Sequence, residues 1–457
     1  MTTRREFIQV NPTNLGDGVF SDRNGLNQII FEIPQIPKIM NGKSLRVSGT
    51  FTTINGDDAT LPANYNQFFS NAPANDFYID GRTGVQSAIE TLSIQNLEGA
   101  TYSTIKSYNR LCSSLMPLNE SINSYLNGGC DIIYGGLGKD VSTARKCDND
   151  FDFAIPLLDG FLMGQPIDLQ LVKGLRIVIT LAPSNFVINN NKWRNNASGS
   201  GLTGGGAFYK LSNVKCSFEA EVPDAEGQEA MMKNRNAVME YNTYSSFYNV
   251  LQSTDHNISL NINTGRTLAV IGNLVPSEWV NNYNYSSLKT IQPLSLDNTL
   301  VLKNRMIVDE MTFTKGGMRK PLDFEVDSDE TQTEGIADSF KNKIELNAIR
   351  NEWSAANFVK SLRTELSNPL ANGVANQAKF DRSRYEIAEE DKVQQYNIGV
   401  NYDHITENGV NFKGTPLGLR IQTTLPAGQA IKPHSLFLYV KHKNTIMFRD
   451  GGVSVMN

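Results

Sequence analysis

The sequence predicts an all-β chain built as two tandem sandwiches, with a few inserted helices and long connecting loops. Three observations lead there. Gly174-Leu-Arg-Ile-Val-Ile-Thr-Leu-Ala-Pro183 returns a little over half the chain later as Gly418-Leu-Arg-Ile-Gln-Thr-Thr-Leu-Pro-Ala427. Each copy is followed by a second strand-like run, Phe208 to Val222 and Ser435 to Phe448, with a related core at Leu211–Lys215 and Leu438–Lys441. Nothing alternates as β-α-β, which disfavours a doubly wound nucleotide-binding fold. Two matches in the same order at this spacing indicate one β-domain built twice.

The elements follow from periodicity. Leu175, Ile177, Ile179 and Leu181 alternate with polar or smaller residues, as do Leu419, Ile421 and Leu425 with Thr423 interrupting; that is the period of a half-buried strand. Leu45, Val47, Gly49 and Phe51 alternate over Ser44–Thr53, with Asn41-Gly42 as a turn signal in front. Further strands are expected at Gln28–Ile33, Ala88–Ile94, Phe151–Leu157, Ile258–Ile262, Thr267–Ile271, Thr299–Met306 and Met311–Lys315. Helical spacing marks Ser103–Leu126, Ala225–Tyr241 and Lys343–Leu366. Long polar connections at Ile54–Val85, Ser184–Ala207, Gly272–Asp297, Asp323–Glu334 and Asn368–Ser383 have a length that suits recognition or assembly loops.

Length and composition set the bounds. A chain of 457 residues is too long for one sandwich and comfortable for two. With 19% charged residues and a net charge of −5 there is no basic stripe, so direct nucleic-acid binding is not expected. Hydrophobic content of 40% and a mean hydropathy of −0.33 are those of a water-soluble globular chain. No run approaches the roughly 20 apolar residues of a membrane span. The start, MTTRREFIQVNPTN, lacks the apolar core of a signal peptide, so synthesis in the cytoplasm is expected. Cys112, Cys130, Cys147 and Cys216 form no C-x-x-C pair and are read as reduced thiols, and the sequons at Asn119, Asn196, Asn257 and Asn284 as background in an Asn-rich chain.

The chemistry motifs dissolve on inspection. Gly42-Lys43-Ser44 has Pro37 where a phosphate-binding loop needs glycine, and a strand follows instead of a helix. The glycines at 199, 201, 204, 205 and 206 have no Lys-Ser/Thr behind them. Asp148-Asn149-Asp150-Phe151-Asp152, with Asp159 at the twelfth place, imitates a calcium loop but puts Phe153 where glycine is required. Asp323–Glu334 reads as a solvated acidic loop, and His442 as part of an alternating strand. There is no nucleophile elbow. No catalytic, cofactor-binding or metal-ligating residue is assigned, and a structural role is favoured over an enzymatic one.

These features converge on a family. The strand Leu45 to Phe51, then Ile155-Pro-Leu-Leu-Asp-Gly160 leading into Ile167-Asp-Leu169, then Gly174–Ala182 and Tyr209-Lys-Leu-Ser-Asn-Val214, resemble the first roll of the double jelly-roll major capsid proteins of icosahedral double-stranded DNA viruses, in the virophage and polinton-like group. Leu417–Leu425 and Leu436–Phe448 resemble the second-roll counterparts. The resemblance implies two tandem eight-stranded jelly rolls: an N-terminal arm at 1–20, a first roll at 21–222, a connecting segment at 223–242 and a second roll at 243–457. It further implies a homotrimeric, pseudo-hexameric capsomer that tiles a virion shell, with self-contacts, minor capsid and penton proteins as partners and Arg4 and Arg5 offered at the base. Contact with an inner membrane stays open. Two other readings remain: a carbohydrate-binding or carbohydrate-active sandwich using Trp193, Trp279 and Trp353, and a trimeric receptor-binding surface protein.

Overall fold

The computed structural model describes residues 4–14, 18–23, 25–55, 78–80, 83–119, 144–146, 150–189, 207–282, 287–288, 307–319, 326–327, 398–402, 409–424, 431–449 and 452–456. In the first half these form β1 (Arg4–Val10), β2 (Gln28–Ile33), β3 (Ile39–Asn55), β4 (Ile89–Gln95), β5 (Thr101–Lys106), helix α1 (Tyr108–Asn119), β6 (Phe151–Ile155), helix α2 (Gly160–Gly164), β7 (Ile167–Asp168), β8 (Leu175–Leu181) and β9 (Ala207–Val222). Helix α3 (Ala225–Lys233) leads into the second half. There follow β10 (Ala237–Leu251), β11 (Asp255–Leu260), β12 (Thr267–Pro276), β13 (Ile307–Lys315), β14 (Met318–Arg319), β15 (Ile398–Asn401), β16 (Leu417–Thr424), β17 (His434–Arg449) and β18 (Gly452–Met456).

The pairing repeats. The first half has one sheet in the order β1-β9-β3-β7, with β6 also on β3, and another in the order β2-β8-β4-β5. The second half has β10-β17-β12-β15, with β18 on β17, and β11-β16-β13-β14. The first strand of each half pairs with its long late strand (β1 with β9, β10 with β17) and the second with the strand before that (β2 with β8, β11 with β16), all antiparallel. That is the jelly roll, and the paired strands of the two halves correspond, β18 being an addition of the second half. The repeated sequence falls on equivalent strands, β8 and β16. Leu175, Ile177, Ile179 and Leu181 line the core of the first roll, and Leu417, Leu419 and Ile421 that of the second. Thr423 continues the buried face and is satisfied by giving its amide and hydroxyl to the Thr254 carbonyl at 2.8 and 3.3 Å. The repeated arginines also do one job: Arg176 reaches Glu32 on β2 at 2.8 Å, and Arg420 reaches Asp255 on β11 at 3.7 Å.

Several expectations are corrected. Residues 4–10 of the supposed arm are a strand, with Phe7 opposite Glu219 and Ile8 opposite Phe218 on β9, so the first roll begins there. Residues 237–242 of the supposed connection belong to β10, and the helix expected over Ala225–Tyr241 stops at Lys233. Ser103–Lys106 is strand, and helix starts at Tyr108. Asn41-Gly42 is no turn but lies inside β3, where Gly42 is needed because a Cβ there would stand 1.8 Å from the Leu162 carbonyl oxygen. The proposed loop at Ser184–Ala207 opens with a short helix, Ser184–Val187, and a two-residue strand, and Gly272–Pro276 is strand. The helix at Lys343–Leu366 and the strand at Thr299–Met306 lie outside the described residues.

Ile177 and Ile421 are both 0% exposed at the centres of their sandwiches. Replacing either with Asp strands a carboxylate in an apolar core, at a cost on the order of 4 kcal/mol or more. Each variant is expected to lose soluble folded protein, read by far-UV circular dichroism and size exclusion; normal behaviour from both would show these strands to be oriented differently.

Candidate functional site: the seam between the two rolls

Among the described residues the distinctive surface is where the rolls meet. Along β12 every residue is buried, and along β17 the first nine are. Side chains alternate across a strand. Leu436, Leu438 and Val440 therefore enter the core of the second roll, while Phe437 and Tyr439, on the opposite face, join the buried cluster of the first. Ile271 joins them, as do Met239, Tyr241, Ile446 and Phe448 near the far end of the sheet. Burying these seven side chains is worth on the order of 10 kcal/mol as an upper bound. The rolls are thus one folding unit.

The first roll supplies β5, α1 and α2. Phe161 of α2 stacks on Tyr102 of β5 at 4.8 Å and meets Tyr241 of β10 edge-on at 5.3 Å. Gly160 lets this helix approach: a Cβ there would lie 1.9 Å from the Asn242 carbonyl oxygen. On α1, the buried Arg110 guanidinium lies 4.1 Å over the Phe437 ring, donates to the Ser287 carbonyl, and is held down to about 10 by burial. Tyr439 donates its hydroxyl to the Ser107 carbonyl at 2.9 Å, and Ser246 to the Lys106 carbonyl at 2.6 Å.

At the centre stands Asp159, 1% exposed, capping α2 by accepting from the Phe161 and Leu162 amides at 2.9 and 3.3 Å. Its other oxygen accepts from Ser103 at 2.6 Å, and Ser103 in turn lies 2.8 Å from Thr243 of the second roll. Burial pushes the Asp159 carboxyl up from its usual range, with these hydrogen bonds opposing.

The sequence motifs fall elsewhere or apart. Gly42-Lys43-Ser44 lies within a strand, and Asp152 is an exposed strand residue accepting from Thr50 at 2.7 Å while Asp159 is buried, so the imitation calcium loop does not converge. Among the described residues no three His, Cys, Asp or Glu side chains gather as a metal site, and no helix is long and apolar enough to cross a membrane. Cys112 and Cys216 are buried free thiols; Cys130, Cys147, the glycine cluster and most of Asp323–Glu334 lie outside the described residues. Trp279 is buried, and Trp193 and Trp353 also lie outside. The seam residues carry no motif, yet one signal was legible: Leu268–Ile271 and Leu436–Val440 are unbroken apolar runs, which a sheet covered on both faces requires.

Gly160→Ala tests the close approach. On an uncrowded helix this change stabilises; here it is expected to cost about 1–3 kcal/mol, because backbone must move. Tyr241→Phe removes a hydroxyl that donates to the Tyr102 carbonyl, and is expected to cost about 1–2 kcal/mol. Both are read as lowered denaturant midpoints at unchanged slope.

No family model matches the sequence, and no curated protein matches it. Solved structures do. A chain of the PBCV-1 virus capsid superposes with a TM-score of 0.58 at 12% identity, over 100% of this chain and 97% of that one. A chain of the Sputnik virophage gives 0.54 at 11% identity, over 99% and 88%. The mavirus major capsid protein gives 0.50 at 13% identity, over 98% and 89%. At such identities the likeness is one of architecture, and the fold of this chain is the double jelly roll of those viral capsid proteins.

Proposed function

We propose that the protein is a major capsid protein, a non-enzymatic building block whose homotrimers tile an icosahedral virion shell. The observation that carries this reading is the seam. Inside the chain, an edge strand of the first roll (β5) is matched with an edge strand of the second (β10). Their counterparts under the internal repeat, β1 and β14, are edge strands too. They carry Phe7 and Met318, 69% and 70% exposed, the two most exposed large hydrophobics among the described residues. Setting β1 of one copy against β14 of the next repeats the internal contact between chains. Three copies then close a ring of six similar lobes, head to tail. Obligate contacts of this kind bury on the order of 2,000 Å² or more.

Function on this reading belongs to extended surfaces. Minor capsid and penton proteins are the further partners, and Arg4 and Arg5, with side chains 81% and 76% exposed at the start of β1, are the groups offered to them. A carbohydrate platform loses one of its three tryptophans to burial at Trp279.

Native mass spectrometry of the purified chain is expected to give three times 50.6 kDa, with hexagonal outlines in negative stain. The pair Phe7→Asp and Met318→Asp, both at exposed positions, is expected to give folded monomer. A monomeric parent, or an elongated trimer that does not tile, would refute the reading.

A further inference from the structure

The strand β18 leaves one edge open, and its chemistry differs from that of other edges. It pairs with β17 from Arg449↔Gly452 to Thr445↔Met456 without a bulge. Its sequence, Gly452-Val-Ser-Val-Met456, holds no charge and no proline. The edge strands β1, β2 and β11 carry Arg4, Arg5 and Glu6, then Glu32, then Asp255. Charges of that kind discourage an edge from pairing with another chain, and β18 has none.

The phase of β17 fixes which backbone groups face outward. The Lys443 amide donates to the Arg266 carbonyl at 3.0 Å, so odd-numbered residues of β17 point to the side where β12 and then β18 lie. Thr445, Met447 and Arg449 therefore exchange hydrogen bonds with Met456, Ser454 and Gly452. The N–H and C=O groups of Val453 and Val455 point off the sheet, and among the described residues no hydrogen bond reaches them. The two valine side chains pack on the cluster of the first roll, which holds the strand in place. Ser454 and Met456 share the opposite face with Met447 and, across β17, Val238. Val238 is 65% and Met456 45% exposed, so this face stays partly apolar out to its edge.

The strand is also its own complement. An antiparallel copy centred on Ser454 sets Val453 against Val455 twice, Ser454 against Ser454, and Gly452 against Met456 twice. The valine pairs are then the hydrogen-bonded ones, and they use every outward backbone group of both strands. The serines form the close pair, with Cα atoms about 4.5 Å apart and hydroxyls within reach of each other. Each Met456 lies beside a residue with no side chain, which leaves it room.

We propose that β18 is a self-pairing edge: two copies of this chain join through it about a two-fold axis at Ser454, making one continuous sheet of their β17 and β18 strands. A pair of five-residue strands buries well under the roughly 1,000 Å² of an independently stable interface, so the contact is weak alone and gains strength when copies are already clustered. It is isologous, whereas the contact between β1 and β14 is head to tail, so it would link trimers to one another and not build them. The inference rests on β18 alone and holds whether or not β1 of one copy meets β14 of the next.

Ser454→Cys under mild oxidation tests the pairing, because directly opposed residues of a close pair have the spacing of a disulfide. A disulfide between the introduced cysteines of two chains is expected, identified by peptide mass mapping with the parent protein as background. Met456→Cys places its two copies about 13 Å apart in this register, and is expected to link to itself at least about tenfold more slowly. Val455→Pro removes an outward N–H and spares the ladder with β17. Added to Ser454→Cys, it is expected to keep the circular dichroism of the fold and lose the link. Phe7→Asp with Met318→Asp, which breaks the proposed trimer contact, is expected to leave the link in place, so the two contacts fail separately. A folded Ser454→Cys protein that forms no such disulfide overturns the proposal. So does equal linking at Met456→Cys, or linking that survives Val455→Pro. If the proline variant does not fold, a mixture of Gly452→Cys and Met456→Cys chains decides: linkage between the two and not within either supports the register, and indiscriminate linkage refutes it.

Discussion

The sheet β10-β17-β12-β15 has to hide both of its faces, and the rest of the molecule is arranged around that need. One face closes the sandwich of the second roll through Leu436, Leu438 and Val440. The other presents Phe437, Tyr439 and Ile271, which water would penalise by roughly 1.5–3 kcal/mol apiece. The first roll covers them, so neither roll is finished alone. A jelly roll ordinarily shields one face per sheet and leaves the other wet. This one is doubly covered because it is half of a joined pair.

Close packing across the seam brings polar backbone out of water, and three of its carbonyls find partners in the second roll. The carbonyls of Tyr102 and Lys106 on the edge strand β5, and of Ser107 just beyond it, accept from Tyr241, Ser246 and Tyr439 of the second roll. An edge strand that would otherwise invite foreign strands is thereby occupied by side chains. Asp159 ties the same region to the N-terminus of α2, whose Phe161 sits between aromatic rings of both rolls. Cohesion comes from apolar area, while the hydroxyls and Asp159 set register.

The internal repeat makes the surfaces directional. Because β1 and β14 repeat β10 and β5 but belong to different rolls, a copy offers two unlike half-seams. Unlike halves join head to tail, and the angle between rolls decides whether such joining closes. In the proposed trimer, a jelly roll duplicated in tandem would give a six-fold outline from three chains without any new contact type.

The sequence by itself determined the strands that show one clean period. Leu175–Leu181 and the early part of β16 alternate because each has one wet face, and their kinship showed in Arg176 and Arg420, each of which reaches a carboxylate on the neighbouring strand, β2 or β11. It misread the places where long-range contact outweighs local preference. Arg4–Val10 is polar at its start and looked like an arm, but pairs along its whole length with β9, far away in the chain. Asn41-Gly42 carries turn chemistry, yet Gly42 is there for the Leu162 carbonyl. Ala237–Tyr241 continued a helical pattern and became strand, because β17 offered a partner for every residue of it. Only the tertiary structure decided which Tyr, Ser and His face the seam. Hydroxyls at strand positions read as solvent-facing until a second sheet is laid over them, and nothing local encodes that burial.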